Sequence, residues 1–137
     1  MTYLLDVNAL IALGFAQHEF HDRMASWVKT RQSESLSLAT CSITELGFVR
    51  VLAQAPAYGL TVTEARNVLV RLKSVTPLSL QFIPDKLDIR RLPAWVKTAK
   101  QITDGHLLQL AQSNGIVLAT LDERIPGAFI IPHRRVR

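Results

Sequence analysis

Apolar positions along the chain fall into two alternating patterns, short continuous runs and longer stretches with helical spacing. Tyr3-Leu4-Leu5, Leu36–Ala39, Leu80–Ile83, Ile116–Ala119 and Ala128–Ile131 are runs of strand length, and Asp6, Pro84 and Pro132 close three of them. Runs so poor in polar residues suit strands buried on both faces. Between them lie stretches of helical period: Asn8–Phe15, Phe20–Thr30, Ser42–Ala53, Thr61–Lys73 and Thr103–Ser113. Ile43, Leu46, Val49 and Val51-Leu52 stripe the third, and Val68, Leu69 and Leu72 face inward from the fourth. Thr61 and Glu64 have the spacing of a capping box, and Asn114-Gly115 stops the last helix. Asp85–Leu92 reads as a further short helix, while Pro93–Ile102 has no clear period beyond Trp95, expected to pack inward. Strands alternating with helices predict an α/β fold with a mostly parallel sheet of about five short strands, covered by helices on both faces.

Length and composition fit this picture. The 137 residues suit a single domain over positions 1–137, with 132–137 as a basic, flexible tail. A hydrophobic share of 48% supports a real core and excludes a disordered chain. The longest apolar stretch, Leu10–Ala16, is too short for a bilayer. The N-terminus lacks the basic region of a signal peptide, so a cytoplasmic protein away from membranes is expected. The single cysteine, Cys41, rules out an internal disulfide and a Cys-rich zinc site. It is expected to be a small buried residue.

In a parallel sheet with right-handed crossovers every strand ends on one edge, where ligands bind. Four acids stand at strand exits or helix starts: Asp6 after the first strand, Glu45 in the helix after the second, Asp104 at the start of the Thr103 helix, and Asp122 after the Ile116 strand. Singly, each has an ordinary explanation. Asp6 fits an N-cap, Ser42 and Glu45 have capping-box spacing, Asp104 complements a helix dipole, and Asp122 caps a turn. Together they place four carboxylates on one edge. Such a cluster repels itself unless a cation compensates it, and hard oxygen donors suit Mg²⁺ or Mn²⁺. Asn8, Thr44, Thr103 and Thr120 are placed to orient those carboxylates or bound water.

The motifs Leu4-Leu5-Asp6-Val7-Asn8, Ser42-Ile43-Thr44-Glu45, Thr103-Asp104-Gly105-His106 and Ala119-Thr120-Leu121-Asp122 resemble, in order and spacing, the acidic motifs of PIN-domain nucleases, closest to VapC-type toxins. One departure is Gly105, where a small residue such as Ala is expected, which would loosen the helix start. The resemblance implies metal-dependent hydrolysis of RNA phosphodiesters, with Asp6, Glu45, Asp104 and Asp122 as catalytic residues and metal ligands. It also implies an antitoxin protein that places an Arg or other polar group in the acidic pocket, and a homodimer. The helices Asn8–Phe15 and Ser42–Ala53 are candidates for the dimer surface.

Charge agrees with an anionic substrate. The formal net charge is +5, and setting the four site acids aside leaves 7 acids against 16 basic residues, or about +9. Arg124 is a candidate phosphate contact, with Arg90, Arg91, Lys97 and Lys100 along the approach. His18 and His21, three apart, are expected to be an exposed helical pair, and His106 to point away from the acids. Trp27, Phe48, Tyr58 and Phe82 read as core or interface. The competing class is a silent RNA-binding or scaffolding module, against which the presence of all four acids weighs.

Overall fold

The computed structural model describes residues 1–78 and 80–133, and in it the five apolar runs become one sheet. Its strands are β1 (Thr2–Leu5), β2 (Ser37–Thr40), β3 (Leu80–Phe82), β4 (Val117–Thr120) and β5 (Phe129–Ile130). They lie in the order β3-β2-β1-β4-β5, and each neighbouring pair is parallel. The chain winds from β1 outward through β2 to β3, then crosses back to β4 and β5 on the other side. The winding therefore reverses at β1, and a crevice opens beyond the C-terminal ends of β1 and β4.

Among the described residues five α-helices fill the connections: α1 (Val7–Gly14), α2 (His21–Arg31), α3 (Ser42–Gln54), α4 (Val62–Lys73) and α5 (Ile102–Ser113). The strand runs feed two cores by simple alternation, since successive side chains leave opposite faces. Tyr3, Leu5, Leu38 and Ala119 join α1, α2, α3 and α4 through Leu10, Trp27, Phe48 and Leu69. Leu4, Ala39 and Leu118 join Leu107, Leu108 and Ala111 of α5 on the other face. Phe48, Leu4, Leu10 and Leu118 are all at most 1% exposed. No helix among the described residues is long and apolar enough to cross a membrane.

The capping box of α4 forms as the sequence predicts: the Thr61 hydroxyl accepts from the Glu64 N–H at 3.1 Å, and the Glu64 carboxylate accepts from the Thr61 N–H at 3.0 Å. Gly115, at φ +65°, follows α5 in the left-handed region that glycine tolerates. Three expectations change. Asp85–Leu92 is not a helix; only the 3₁₀ turn Ile89–Arg91 forms there. Asp85 and Asp88 accept from the N–H groups of Leu87 and Arg90, which competes with helical bonding, and Ile89 is left 71% exposed with no apolar face to bury. Secondly, α1 is interior rather than a free dimer face, with Ala9 to Leu13 all buried. Thirdly, of the two roles read for Phe82, core or interface, core is excluded: it stands 47% exposed on the edge strand β3. Of the expected tail, residues 134–137 lie outside the described residues.

Candidate active site

Asp6 is the residue at which strand becomes helix. Its extended backbone ends β1, its N–H continues the ladder to the Ala119 carbonyl at 3.2 Å, and its Oδ1 caps α1 by accepting from the Ala9 N–H at 2.9 Å. Oδ2 accepts from the hydroxyl of Thr120, the last residue of β4, at 2.5 Å. The same Thr120 oxygen accepts from the Asp122 N–H at 2.9 Å. One buried hydroxyl thus ties two acids of the crevice together. Asp6 is only 6% exposed. Burial pushes its carboxyl up to about 6, the Thr120 and Ala9 donors pull it back, and the fields of Asp104 and Asp122 push it up again.

Asp104, in the first turn of α5, faces the same crevice, and burial and then Asp122 raise it above the ordinary carboxylate value. Asp122 lies below that value because Arg124 bonds it, through the guanidinium and through its N–H at 2.9 Å. Asp6, Asn8, Thr103, Asp104 and Asp122 line a cleft of about 270 Å³ together with the apolar side chains of Val7, Ile11, Val51 and Leu107. Three of the four expected acids, Asp6, Asp104 and Asp122, therefore line one cleft.

Glu45 is held separately. The α3 cap is not Ser42 with Glu45 but Cys41 with Thr44, one residue earlier: the Thr44 hydroxyl accepts from the Cys41 N–H at 2.9 Å and donates to the Cys41 carbonyl at 3.1 Å. Thr44 is consequently a buried cap and orients no carboxylate. Glu45 is released from capping, and its Oε2 accepts from the Thr40 hydroxyl at 2.6 Å and from Lys73 at 2.6 Å. Lys73 also lies over the exposed ring of Phe82, 5.4 Å from its centroid.

The other candidates sort as follows. Thr103 is exposed at the cleft. Arg124 is 89% exposed and ion-paired with Asp122. His106 turns from the acids to Asp85, at 2.5 Å. Cys41 is buried. His18 and His21 are not an exposed helical pair. His18 sits in the α1–α2 loop at 9% exposure and bonds Asn8 at 2.8 Å, and His21 opens α2 with Nδ1 2.7 Å from the Ala12 carbonyl. Gly105 does not loosen α5: a Cβ there would stand 2.3 Å from Val96 Cγ2, so the bare backbone admits the Pro93–Val96 turn. Lys73 and His18 were missed as site neighbours. Lys73 is 28 residues from its partner and carries no motif, while the His18–His21 spacing was a signal read for the wrong element.

Residues 3–128 match the PIN domain family model. The chain belongs to the PIN-domain family. Within it, Ribonuclease VapC38 of Mycobacterium tuberculosis (strain ATCC 25618 / H37Rv) is 37% identical over 136 residues, covering 96% of this chain and 91% of the relative. Ribonuclease VapC29 of the same strain is 37% identical over 123 residues, covering 89% and 86%. This PIN domain is thus of the VapC type. VapBC2 from Rickettsia felis, solved bound to a DNA fragment from its promoter, shares the fold at a TM-score of 0.60 and 14% identity, covering 95% of this chain and 97% of that one.

The donor set of the cleft fits a hard divalent cation in chemistry. Its carboxylates are oxygen donors, and the central one is buried with no Lys or Arg bonded to it among the described residues. The set is open as it stands. Among the described residues no three Asp, Glu, His or Cys side chains are close enough to hold an ion, with Asp122 turned to Arg124 and Glu45 to Lys73.

Proposed function

We propose that this VapC-type PIN domain is a Mg²⁺- or Mn²⁺-dependent endoribonuclease, hydrolysing RNA phosphodiesters as the toxin of a toxin–antitoxin pair in the cytoplasm. The observation that carries the reading is the buried Asp6 carboxylate, with no cationic partner among the described residues, sharing its cleft with Asp104 and Asp122. A site that crowds like charges favours a dication over protons once the pH exceeds the raised carboxyl values.

Asp6 and Asp104 would hold the ion, with Asp122 and Glu45 completing its surroundings. When bound, the ion supplies a nucleophilic water near neutral pH and offsets the charge that develops on phosphorus. The chain's own contribution is positioning. Thr120 aims Asp6, Thr40 aims Glu45, and Thr103 stands at the opening. Arg124 is free to exchange Asp122 for a phosphate oxygen, a bidentate geometry that suits guanidinium. The basic balance outside the four acids supports a polyanionic substrate.

The relatives bear the name ribonuclease, and the fold neighbour was solved as VapBC2. Both support RNA as substrate and an antitoxin as partner. The acidic cleft is suited to an antitoxin guanidinium, which would neutralise it and block the ion. A homodimer is part of the same reading.

The test is cleavage of labelled total RNA by the purified protein with Mg²⁺, with Mn²⁺ and with EDTA, beside Asp6→Asn. Discrete cleavage that needs both metal and Asp6 is the expected result. Folded protein that neither cleaves RNA nor binds Mn²⁺ in calorimetry overturns it in favour of the silent RNA-binding or scaffolding module.

A further inference from the structure

We infer that His18 is a positioning residue for the cleavage site, fixing the side chain of Asn8 so that its amide N–H₂ group is the part offered to the RNA phosphate. The inference rests on the nuclease reading above and adds a residue outside the acidic motifs.

Asn8 and His18 contrast in burial. Asn8 is exposed, in the first turn of α1, where a polar side chain needs no protein partner. Yet it is bonded by a side chain that is only 9% exposed and comes from a loop ten residues on. The two bonds of that imidazole fix its tautomer. The Phe20 N–H donates to His18 Nδ1 at 3.0 Å, so Nδ1 carries no proton. The ring is neutral, as its burial favours, so its proton is on Nε2. Nε2 stands 2.8 Å from Asn8 Oδ1 and donates to it.

A consequence follows for Asn8. The bond from His18 occupies one lone pair of its carbonyl oxygen and fixes which way the amide is turned, so the pair of N–H donors is held away from the ring. Asn8 lines the acidic cleft with Asp6, Asp104 and Asp122, and also the adjoining groove with Phe20, Asp122 and Arg124. A neutral donor at the join of an acidic cleft and an arginine-bearing groove fits a phosphate oxygen of the bound strand. Without His18 the amide is free to flip and present its oxygen, which repels phosphate. The ring is a buried brace for an exposed donor.

Two substitutions separate the roles of the ring nitrogens. His18→Gln keeps an N–H donor near the place of Nε2, while the shorter amide of His18→Asn lies near Nδ1 and brings no donor to the place of Nε2. With RNA whose cleavage site the wild type defines, His18→Asn and Asn8→Ala are each expected to lower kcat/KM by about ten- to a hundredfold, the worth of one charge-assisted hydrogen bond. His18→Gln should stay within about threefold of wild type, and His18→Asn with Asn8→Ala should be no worse than either alone. Mn²⁺ affinity should be unchanged throughout. In the free protein, ¹⁵N spectra should show the His18 proton on Nε2.

A proton on Nδ1 would falsify the inference. So would wild-type cleavage by His18→Asn, losses that multiply in the double variant, or a His18→Gln that folds but is no better than His18→Asn. If the wild type cleaves no RNA, the nuclease reading fails first. The brace is then judged on the ring tautomer and on whether His18→Asn shifts the Asn8 amide resonances.

Discussion

Two carboxylates of this site are held by the same device in opposite electrostatic settings. Asp6 and Glu45 each accept a hydrogen bond from the hydroxyl of a strand's last residue, Thr120 of β4 and Thr40 of β2, and both threonines are fully buried. The threonine aims the carboxylate in either case. What differs is the counter-charge. Glu45 has Lys73 at 2.6 Å and a side chain 22% exposed, whereas Asp6 is nearly sealed, has no cationic partner and faces two further acids. A carboxylate with a resident ammonium is already compensated, while a buried one beside other acids is destabilised in its charged form. On the proposed function, an ion would be held first on the Asp6 side of the crevice, with Glu45 behind its lysine.

The sharpest way to break that comparison is to remove the charge on Asp6. Asp6→Asn should lower RNA cleavage by more than about a hundredfold, since loss of a ligand exceeds the cost of losing a group that merely supports one. It should also make the metal-free protein more stable at pH 7. The folded protein holds the Asp6 proton up to about 6, but the unfolded chain releases it near 3.8. Between those values the folded state binds more protons, so stability falls as pH rises, by up to about 3 kcal/mol at pH 7. Asp104 adds a slope of the same sign, and Asp122 one of opposite sign at lower pH. The difference between wild type and Asp6→Asn, measured by urea denaturation in EDTA from pH 4 to 8, isolates Asp6. No difference across that range would mean that its burial carries no charge penalty.

The two threonines give the next largest effect. Thr120→Val takes the side-chain donor from a buried carboxylate and the acceptor from the Asp122 N–H, a loss of about 1–3 kcal/mol at pH 7. Thr40→Val leaves Glu45 with Lys73 and partial solvent, at a cost of no more than about 1 kcal/mol. Thr120→Val should also push Asp6 above its present value, moving its pH slope upward. Equal losses in the two variants would erase the distinction between the sealed and the compensated carboxylate.

Much of this was legible in the chain itself, for a physical reason. Buried parallel strands are bare apolar runs, so β1 and β4 show at once, and the acids that end them follow from topology. The α4 box of Thr61 and Glu64 and the stop at Gly115 are local bonds written in local residues. What escaped depends on contacts far apart in sequence or on competition between near-equal local bonds. Lys73 meets Glu45 only because α4 packs on α3. Thr44 outcompetes Ser42 and Glu45 for the cap by a shift of one residue. Asp85 and Asp88 capture N–H groups and dissolve a helix that the period suggested. His18 was misread because its spacing to His21 was taken for helical, while the chain between them is a turn that folds back on α1.

The smallest expected effect is the most discriminating, and it concerns Lys73. Its side chain is 32% exposed, so removing its charge in Lys73→Met should cost below about 1 kcal/mol of stability. The loss of that ammonium leaves Glu45 uncompensated. If Glu45 joins Asp6 and Asp104 around the ion, the metal no longer competes with Lys73, and Mn²⁺ affinity in calorimetry should rise about three- to tenfold. A carboxylate that never contacts the ion directly or through water gains nothing from this change, and the affinity then stays where it was. Either value fixes what the ammonium does: a rise makes Lys73 a stand-in that yields its place when metal arrives, and constancy makes it a permanent tether of α4 to α3, with the ion held by the Asp6 side alone.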